Sequence, residues 1–562
     1  MRRSFLLGSI VLGVGCASFA LVAFAQNPAW PNRSASRDDL MNPGNWPDDP
    51  GYGFDILGMT EGTGDDNGGE WVMWSWVPPA SMTVPGFRRE EEMMGAGMHI
   101  DRAWQRTIGD PRVIIAVLDS GIKWDERDQR NKWYLSVAEL PEPQNADGTS
   151  TPGVHDLNGD GVFNMRDWDA DARVTDLNEN GFTDPQDLIA IFSDGVDDDA
   201  NGYIDDISGW DFFQDDNDPE DETRFGHGTG EARDSGSEGN NGMGTVGVCP
   251  RCTLLMVRVG DSFVVDVQDY ARAVVFAVDS NASVVQEALG SVNHSTLMRR
   301  AHRYAYENGV AISASAADEN SRHHNFPGTS NHVMYVHAIV FDDNQPQTST
   351  TFLNFNTCTN YGGQLMMSVS GEGCSSEAVG RTAGMAGLLY SAAISPDRPG
   401  GPLHPALSNE EVRQLFIGTV DDIDIPESQP DHPEWDDSKY PSSPGWDQRF
   451  GYGRPNARAA VDAISEGRIP PEVQVETPIW FDVLYPDRTP TVSLTGVARA
   501  RRAPSFDLEV AYAAGIEPTE DDFEQIRMET GLTEGIDGGE IARWDIGSLE
   551  IDNPGEVENR YS

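Results

Sequence analysis

Three side chains of this 562-residue chain have the types and flanks that a relayed nucleophile requires: Asp119, His227 and Ser376. His227 stands in Phe225-Gly226-His227-Gly228-Thr229, between a very acidic run and the start of a helical stretch. Histidine is the side chain whose ordinary pKa suits general-base work near neutrality. Taken alone, that stretch reads equally as a solvated histidine in a glycine turn. Asp119 follows the apolar run Val113-Ile114-Ile115-Ala116-Val117-Leu118. Such a run fits a strand buried on both faces, with its carboxylate at the C-terminal tip, where open α/β sheets place their sites. Ser376 lies in Cys374-Ser375-Ser376-Glu377-Ala378, ahead of the small-residue segment Thr382-Ala383-Gly384-Met385-Ala386-Gly387, which predicts a helix in a crowded core. A serine nucleophile, a histidine base and an orienting aspartate together perform acyl transfer. Ser375 competes for the nucleophile's place.

The order Asp, His, Ser and the residues around each resemble the subtilases, the subtilisin-like serine peptidases. Asp119-Ser120-Gly121 resembles the family's Asp-[Ser/Thr]-Gly signature, and His227-Gly228-Thr229 its His-Gly-Thr signature. The stretch 244–259 resembles the segment after the histidine helix, and Phe450-Gly451-Tyr452-Gly453-Arg454-Pro455-Asn456-Ala457 the one that closes the domain. Ala288, Leu289 and Gly290 occupy the family's substrate-binding strand, an edge to which a peptide adds by β-augmentation; an ordinary core strand is the alternative. The resemblance implies an α/β fold, a subtilisin-like domain over 99–465 with a mainly parallel central sheet flanked by helices. It also implies a polypeptide substrate, and spacing back from Thr382-Ala383-Gly384 favours Ser376 over Ser375.

Several positions depart from the family's pattern. Asp318, in Ala317-Asp318-Glu319-Asn320, stands where the family usually has an asparagine that donates to the oxyanion. An aspartate donates only when protonated, and loss of such a donor costs on the order of 10²–10³ in turnover. Gly230-Glu231 follows the histidine signature, Glu377 stands where Met is usual, Arg381 where His is usual, and Cys374 where Gly is usual.

Arg2 and Arg3, the apolar run to Phe24 and the exit Ala23-Phe24-Ala25 describe a secretory signal peptide over 1–25, so the protein is expected to be secreted or at the cell surface, with no membrane span after signal removal. The formal net charge of −53 excludes nucleic acid as a natural partner. It is read either as a solvated surface or as a demand for calcium.

Three acidic loops between the Asp strand and the His helix, in an insertion over 150–210, favour calcium (Ca2+). Asp156, Asn158 and Asp160, with Asp167 at the twelfth position, follow the alternating pattern of a calcium loop with a central glycine. Asp176, Asn178, Asn180 and Asp187 repeat it, and Asp197, Asp199, Asn201 and Asp205 make a third. The first pair resembles dockerin repeats and the third a loop found before the histidine in subtilases. Acidic turns without metal are the alternative.

Cys249-Pro250-Arg251-Cys252 admits half a zinc site, a redox pair or a disulfide. In an exported protein the expectation is two disulfides, 249–252 and 358–374, the pairing itself being open. Residues 26–98 lack periodicity and are taken as an irregular extension rather than a compact prosegment. Beyond a Gly-Pro linker, 472–562 shows strand-like alternation at 475–494 and 506–511, predicting a small all-β, sandwich-like domain without an obvious final strand, as in a piece of a longer surface protein. Two functions follow: a secreted, calcium-stabilised serine endopeptidase, or a weak or inactive subtilase-like calcium-binding scaffold. Substrate preference and oligomeric state have no signature here.

Overall fold

A computed structural model describes residues 27–52 (save 34, 35 and 41), 71–75, 97–340 (save 263, 264, 292 and 293), 354–423 (save 356, 357, 372 and 373) and 442–549 (save 480, 481, 516 and 517). The expected signal peptide lies outside the described residues.

The strand ending in Asp119 is β1 (Ile114–Asp119), the centre of the principal sheet. Its neighbours are β3 (Thr253–Arg258) and β4 (Val284–Glu287), both parallel to it, as the continuous apolar runs predict. Counting β2 (Trp210–Asp211), β5 (Ala311–Ser315), β6 (Val333–Val340) and β7 (Asn354–Phe355), the order is β2-β3-β1-β4-β5-β6-β7, with β8 (Met367–Ser370) also on β6. Among the described strands of this sheet only the β6–β7 pairing is antiparallel.

The pleat sends alternate side chains into two different cores. Ile115, Val117, Leu254 and Met256 enter one. Ala116, Leu118, Leu255 and Val257 enter the other. The second core is covered by α5 (Val267–Asp279), whose Tyr270, Val274 and Val278 are buried as their spacing predicts, and by α6 (Thr296–Glu307). The first is covered by α4 (His227–Gly236), α7 (Ser375–Ile394), α8 (Asn409–Ile417) and α9 (Ala457–Glu466).

Small residues let α7 run through the middle of that first core. A Cβ on Gly384 would lie 2.6 Å from the Val248 Cβ and 2.7 Å from the Ser235 carbonyl oxygen of α4. One on Gly387 would lie 2.9 Å from the Cys252 sulfur. The cysteines pair as Cys249–Cys252 and Cys358–Cys374, with Cα atoms 5.4 Å and 5.7 Å apart. The first bridge is fully buried under α7. The second joins Cys374, just before α7, to the segment after β7.

Among the described residues the N-terminal extension contributes α1 (Arg37–Leu40) and short turns before α2 (Ile100–Ala103), and its Tyr52 and Trp74 belong to the first core, with Trp30 and Trp46 packed against it. Trp46 stacks on Trp74 at 5.4 Å, and Tyr52 and Trp30 approach Trp104 at 5.8 Å and 5.5 Å. The acidic insertion holds α3 (Pro185–Phe192), capped by Asp184. Among the described residues no helix is long and apolar enough to cross a membrane.

Beyond α9, β9 (Glu472–Thr477), β10 (Thr491–Arg499) and β13 (Ile536–Asp545) form one antiparallel sheet, and β11 (Phe506–Tyr512) and β12 (Glu524–Leu532) another. Leu494 and Trp544 of the first meet Val510, Tyr512 and Ile526 of the second. Polar links dock this region on the α/β body: Arg303 and His332 both reach Glu476, and Arg502 pairs with Glu411 at 2.6 Å.

Candidate active site

Asp119 leaves β1 fully buried. Its Oδ1 accepts from the Ser120 N–H at 2.7 Å and lies 2.7 Å from His227 Nδ1. Two glycines bring the imidazole there. Gly226 caps α4 at φ +66°, a left-handed conformation that glycine adopts without penalty. At Gly228 a Cβ would come within 2.4 Å of the Gly121 carbonyl oxygen and 3.1 Å of the Asp119 Cβ, so only glycine lets α4 rest on the end of β1.

Burial disfavours the charged imidazole of His227, but the Asp119 carboxylate, followed by Glu231 and Asp318, outweighs it and raises the pKa to about 9. Glu231, one helical turn on, places Oε1 3.7 Å from His227 Nε2.

The two serines at the start of α7 differ sharply. Ser375 is fully buried, its hydroxyl 2.6 Å from both Ser315 Oγ and Asp318 Oδ1. Its N–H also donates to Asp318 Oδ1, at 2.9 Å. Ser376 is only part-buried, and its hydroxyl lies 3.5 Å from the Ala288 carbonyl oxygen. Asp318 thus holds the N-terminus of α7, where a negative group is favoured by the unpaired N–H donors of the first turn. Of the substrate-strand residues, the Leu289 carbonyl accepts from Asn325 Nδ2 at 3.4 Å and the Gly290 carbonyl from the Val265 N–H at 3.2 Å.

The acidic loops fold around their own backbone. Asp156 accepts from the N–H groups of Gly159, Asp160 and Gly161, and Asp176 and Asp197 do likewise in their loops. Their third and fifth positions act the same way: Asn158, Asn178 and Asp199 each accept from the N–H of the fifth residue, and Asp160, Asn180 and Asn201 from the N–H two residues on. The twelfth-position Asp167 and Asp187 are buried and accept from Leu157 and Asn158, and from Leu177 and Asn178, while closing capping boxes with Asn164 and Asp184.

The third loop gathers a different set. Asp205 accepts from the N–H groups of Asp194 and Gly195, whereas Asp206 meets Asp199 and Glu139, one oxygen from each within 4.8 Å of the others. Glu139 Oε2 and Asp206 Oδ1 are buried without a hydrogen-bond partner among the described residues. Burial, aided by the charges of Asp199 and Glu139, pushes the Asp206 carboxyl up to about 7.

A second acidic pair joins the extension to the body. Asp49 accepts from the Asn240 and Asn241 N–H groups, and Asp128 from Asn241 Nδ2 at 2.7 Å. Burial first, then neighbouring carboxylates, raise Asp49 to about 6 and Asp128 to about 7. Sequence reasoning missed Glu139, Asp206, Asp49 and Asp128. The Asp205-Asp206 doublet was visible, but the other partners lie far away in the chain.

The chain belongs to the subtilase family, whose model matches residues 110–453. A thermophilic serine proteinase of Bacillus sp. (strain AK1) is 30% identical over 247 residues, 42% of this chain and 56% of that protein. Thermitase of Thermoactinomyces vulgaris is 28% identical over 214 residues, 36% of this chain and 74% of its own length. The chain thus spans little more than half of the first relative. Among solved structures, the prenylagaramide maturation protease PagA is covered over 98% of its chain and 65% of this one, at 16% identity and a TM-score of 0.37.

Proposed function

We propose that this protein is an exported serine endopeptidase, stabilised by calcium, that cleaves polypeptides through an acyl-enzyme. The observation that carries this reading is the 2.7 Å contact of His227 Nδ1 with buried Asp119, which fixes the tautomer and leaves Nε2 for chemistry. Ser376 attacks the scissile carbonyl, its proton passes to His227 Nε2, and His227 returns that proton to the leaving amine. Asp119 orients the ring and stabilises its cation. The Ser376 N–H, in the first turn of α7, is the oxyanion donor that remains whatever Asp318 does. Ser375 takes no part as nucleophile, because its hydroxyl is committed to Ser315 and Asp318. Ala288, Leu289 and Gly290 line the approach of the peptide.

The donor chemistry fits a hard cation. Glu139, Asp199 and Asp206 would hold one, supplying the carboxylate oxygens calcium prefers and relieving two orphaned buried oxygens. Asp49 and Asp128, with the Asn241 side chain between helix and extension, would hold another. In the first two loops Asp156, Asn158, Asp160 and Asp167, and Asp176, Asn178, Asn180 and Asp187, remain candidate ligands. A bound cation supplies structural charge neutralisation and no step of the reaction.

A second reading, an inactive calcium-binding scaffold, is favoured by Asp318, an acceptor already engaged at the place where a donor is wanted. Labelling of purified, calcium-loaded protein with a fluorophosphonate probe, beside Ser376→Ala, separates the two. Labelling that disappears in the variant supports the peptidase. Folded protein that stays unlabelled across neutral and alkaline pH supports the scaffold.

A further inference from the structure

Three of the sequence's departures around the histidine and serine signatures, Glu231, Glu377 and Arg381, lie where α4 meets α7. Helices α4 and α7 touch at Gly380, where a Cβ would lie 2.9 Å from the Glu231 carbonyl oxygen and 3.0 Å from the Asp234 Cβ. From α4, Glu231 reaches toward His227 Nε2, its side chain 6% exposed. Its second oxygen, Oε2, is buried with no hydrogen-bond partner among the described residues. From α7, Arg381 pairs with Glu377 at 2.9 Å and with Asp234 at 3.5 Å, and donates to the Ser370 carbonyl at 2.9 Å. The remaining charges that face the imidazole are Asp119 on β1 and Asp318 after β5.

We propose that Glu231 is a positioning residue that holds His227 in its protonated form from the Nε2 side, confining the free base to alkaline solution. The inference rests on the peptidase reading, in which Nε2 must be unprotonated to accept the Ser376 proton. A carboxylate close to each ring nitrogen favours the imidazolium over the neutral ring. His227 is raised accordingly, while burial first, opposed by His227 and aided by Asp234, Asp119 and Glu377, keeps the Glu231 carboxyl above its ordinary range. The same contact favours the imidazolium that forms as Ser376 attacks, so the arrangement trades base availability at neutral pH for stabilisation of the charged intermediate. The proton balance is unchanged: it moves from Ser376 Oγ to Nε2 and then to the leaving nitrogen. Glu231 neither gains nor loses it over the cycle.

The test uses the calcium-loaded full chain and its Glu231→Gln and Glu231→Val variants. The pH dependence of fluorophosphonate labelling is measured together with the His227 titration by NMR on histidine-labelled protein, assigned with His227→Gln. In the parent both midpoints fall near pH 9. In Glu231→Gln both move toward neutrality, and labelling at pH 7 quickens at least about tenfold, the change in free base for about one unit of pKa. Glu231→Gln keeps the side-chain volume, so it reports even where Glu231→Val fails to fold. A folded Glu231→Gln with the parent's His227 midpoint overturns the proposal. A parent that never labels defeats the peptidase reading alone, because the NMR midpoints still read the coupling between Glu231 and His227.

Discussion

Two groups of carboxylates in this chain behave in opposite ways. Around His227, Asp119 and Glu231 are buried, Glu377 and Asp234 part-buried and Asp318 exposed, and most are answered by the protein's own groups: Asp119 by the imidazole and the Ser120 N–H, Asp318 by Ser375, Glu377 and Asp234 by Arg381. Those of the acidic loops lie mostly at the surface, where Asp156, Asp176 and Asp197 close on their own backbone N–H groups. Asp199, Asp206 and Glu139 gather without a cationic side chain among the described residues. The residue type is the same, and burial and partner decide what it does. An acid that meets a fixed partner in a dry place tunes chemistry, whereas acids that converge without one ask for a metal ion.

The comparison breaks most severely if the inner group is pried apart. Gly228→Ala places a methyl within 2.4 Å of the Gly121 carbonyl oxygen, so α4 must lift from β1 and take His227 off Asp119. The expected result is a fall in labelling by about 10²–10³, the scale of a displaced catalytic group, with far-ultraviolet dichroism preserved. Asp318→Asn tests the same group more gently. Asparagine keeps an acceptor for the Ser375 N–H and frees a donor for the oxyanion, so turnover of a peptide substrate is expected to rise about tenfold. An unchanged rate would mean that the side chain at this position does not face the oxyanion.

The outer group is sharpened by calcium removal. Asp49, Asp128 and Asp206 have folded-state pKa values raised to about 6, 7 and 7, above the roughly 4 of an unfolded chain. Without a cation they bind protons on folding, so their contribution to stability is greatest in acid and falls as pH rises through about 4 to 7. On the proposed calcium reading the cation replaces those protons, so the melting temperature gained from it is expected to grow across the same window, by several degrees at neutral pH. Asp206→Asn reduces that gain, and Asp205→Asn, whose oxygens serve the Asp194 and Gly195 N–H groups, reduces it less.

Much of the inner group was legible in the sequence. Apolar runs ending in Asp119 and a small-residue helix behind Ser376 are local patterns, and the α/β sheet follows from them. Glu377 and Arg381 are visible as letters. That Arg381 reaches across to Asp234 is not visible, because the meeting depends on how closely Gly380 lets α7 approach α4. The outer group was legible as loop spacing only. Glu139 joins Asp199 across sixty residues, and Asp49 joins Asn241 across 192, separations that no periodicity encodes. In the C-terminal region, β12 and β13 escaped notice because Glu524–Leu532 is mostly exposed and lacks a clean apolar alternation, its partner strand supplying the order.

The pairing of the central strand also governs when the protein can fold. β1 finds its first neighbours at Thr253 and Val284, so Ile114 waits through more than a hundred residues, the acidic insertion among them, before any ladder can form. Contacts this distant make assembly slow, and an apolar strand left without neighbours invites aggregation meanwhile. The insertion's dense negative charge repels other copies of the chain during that interval, so the acidic loops proposed above as calcium ligands also act earlier as a solubilising spacer.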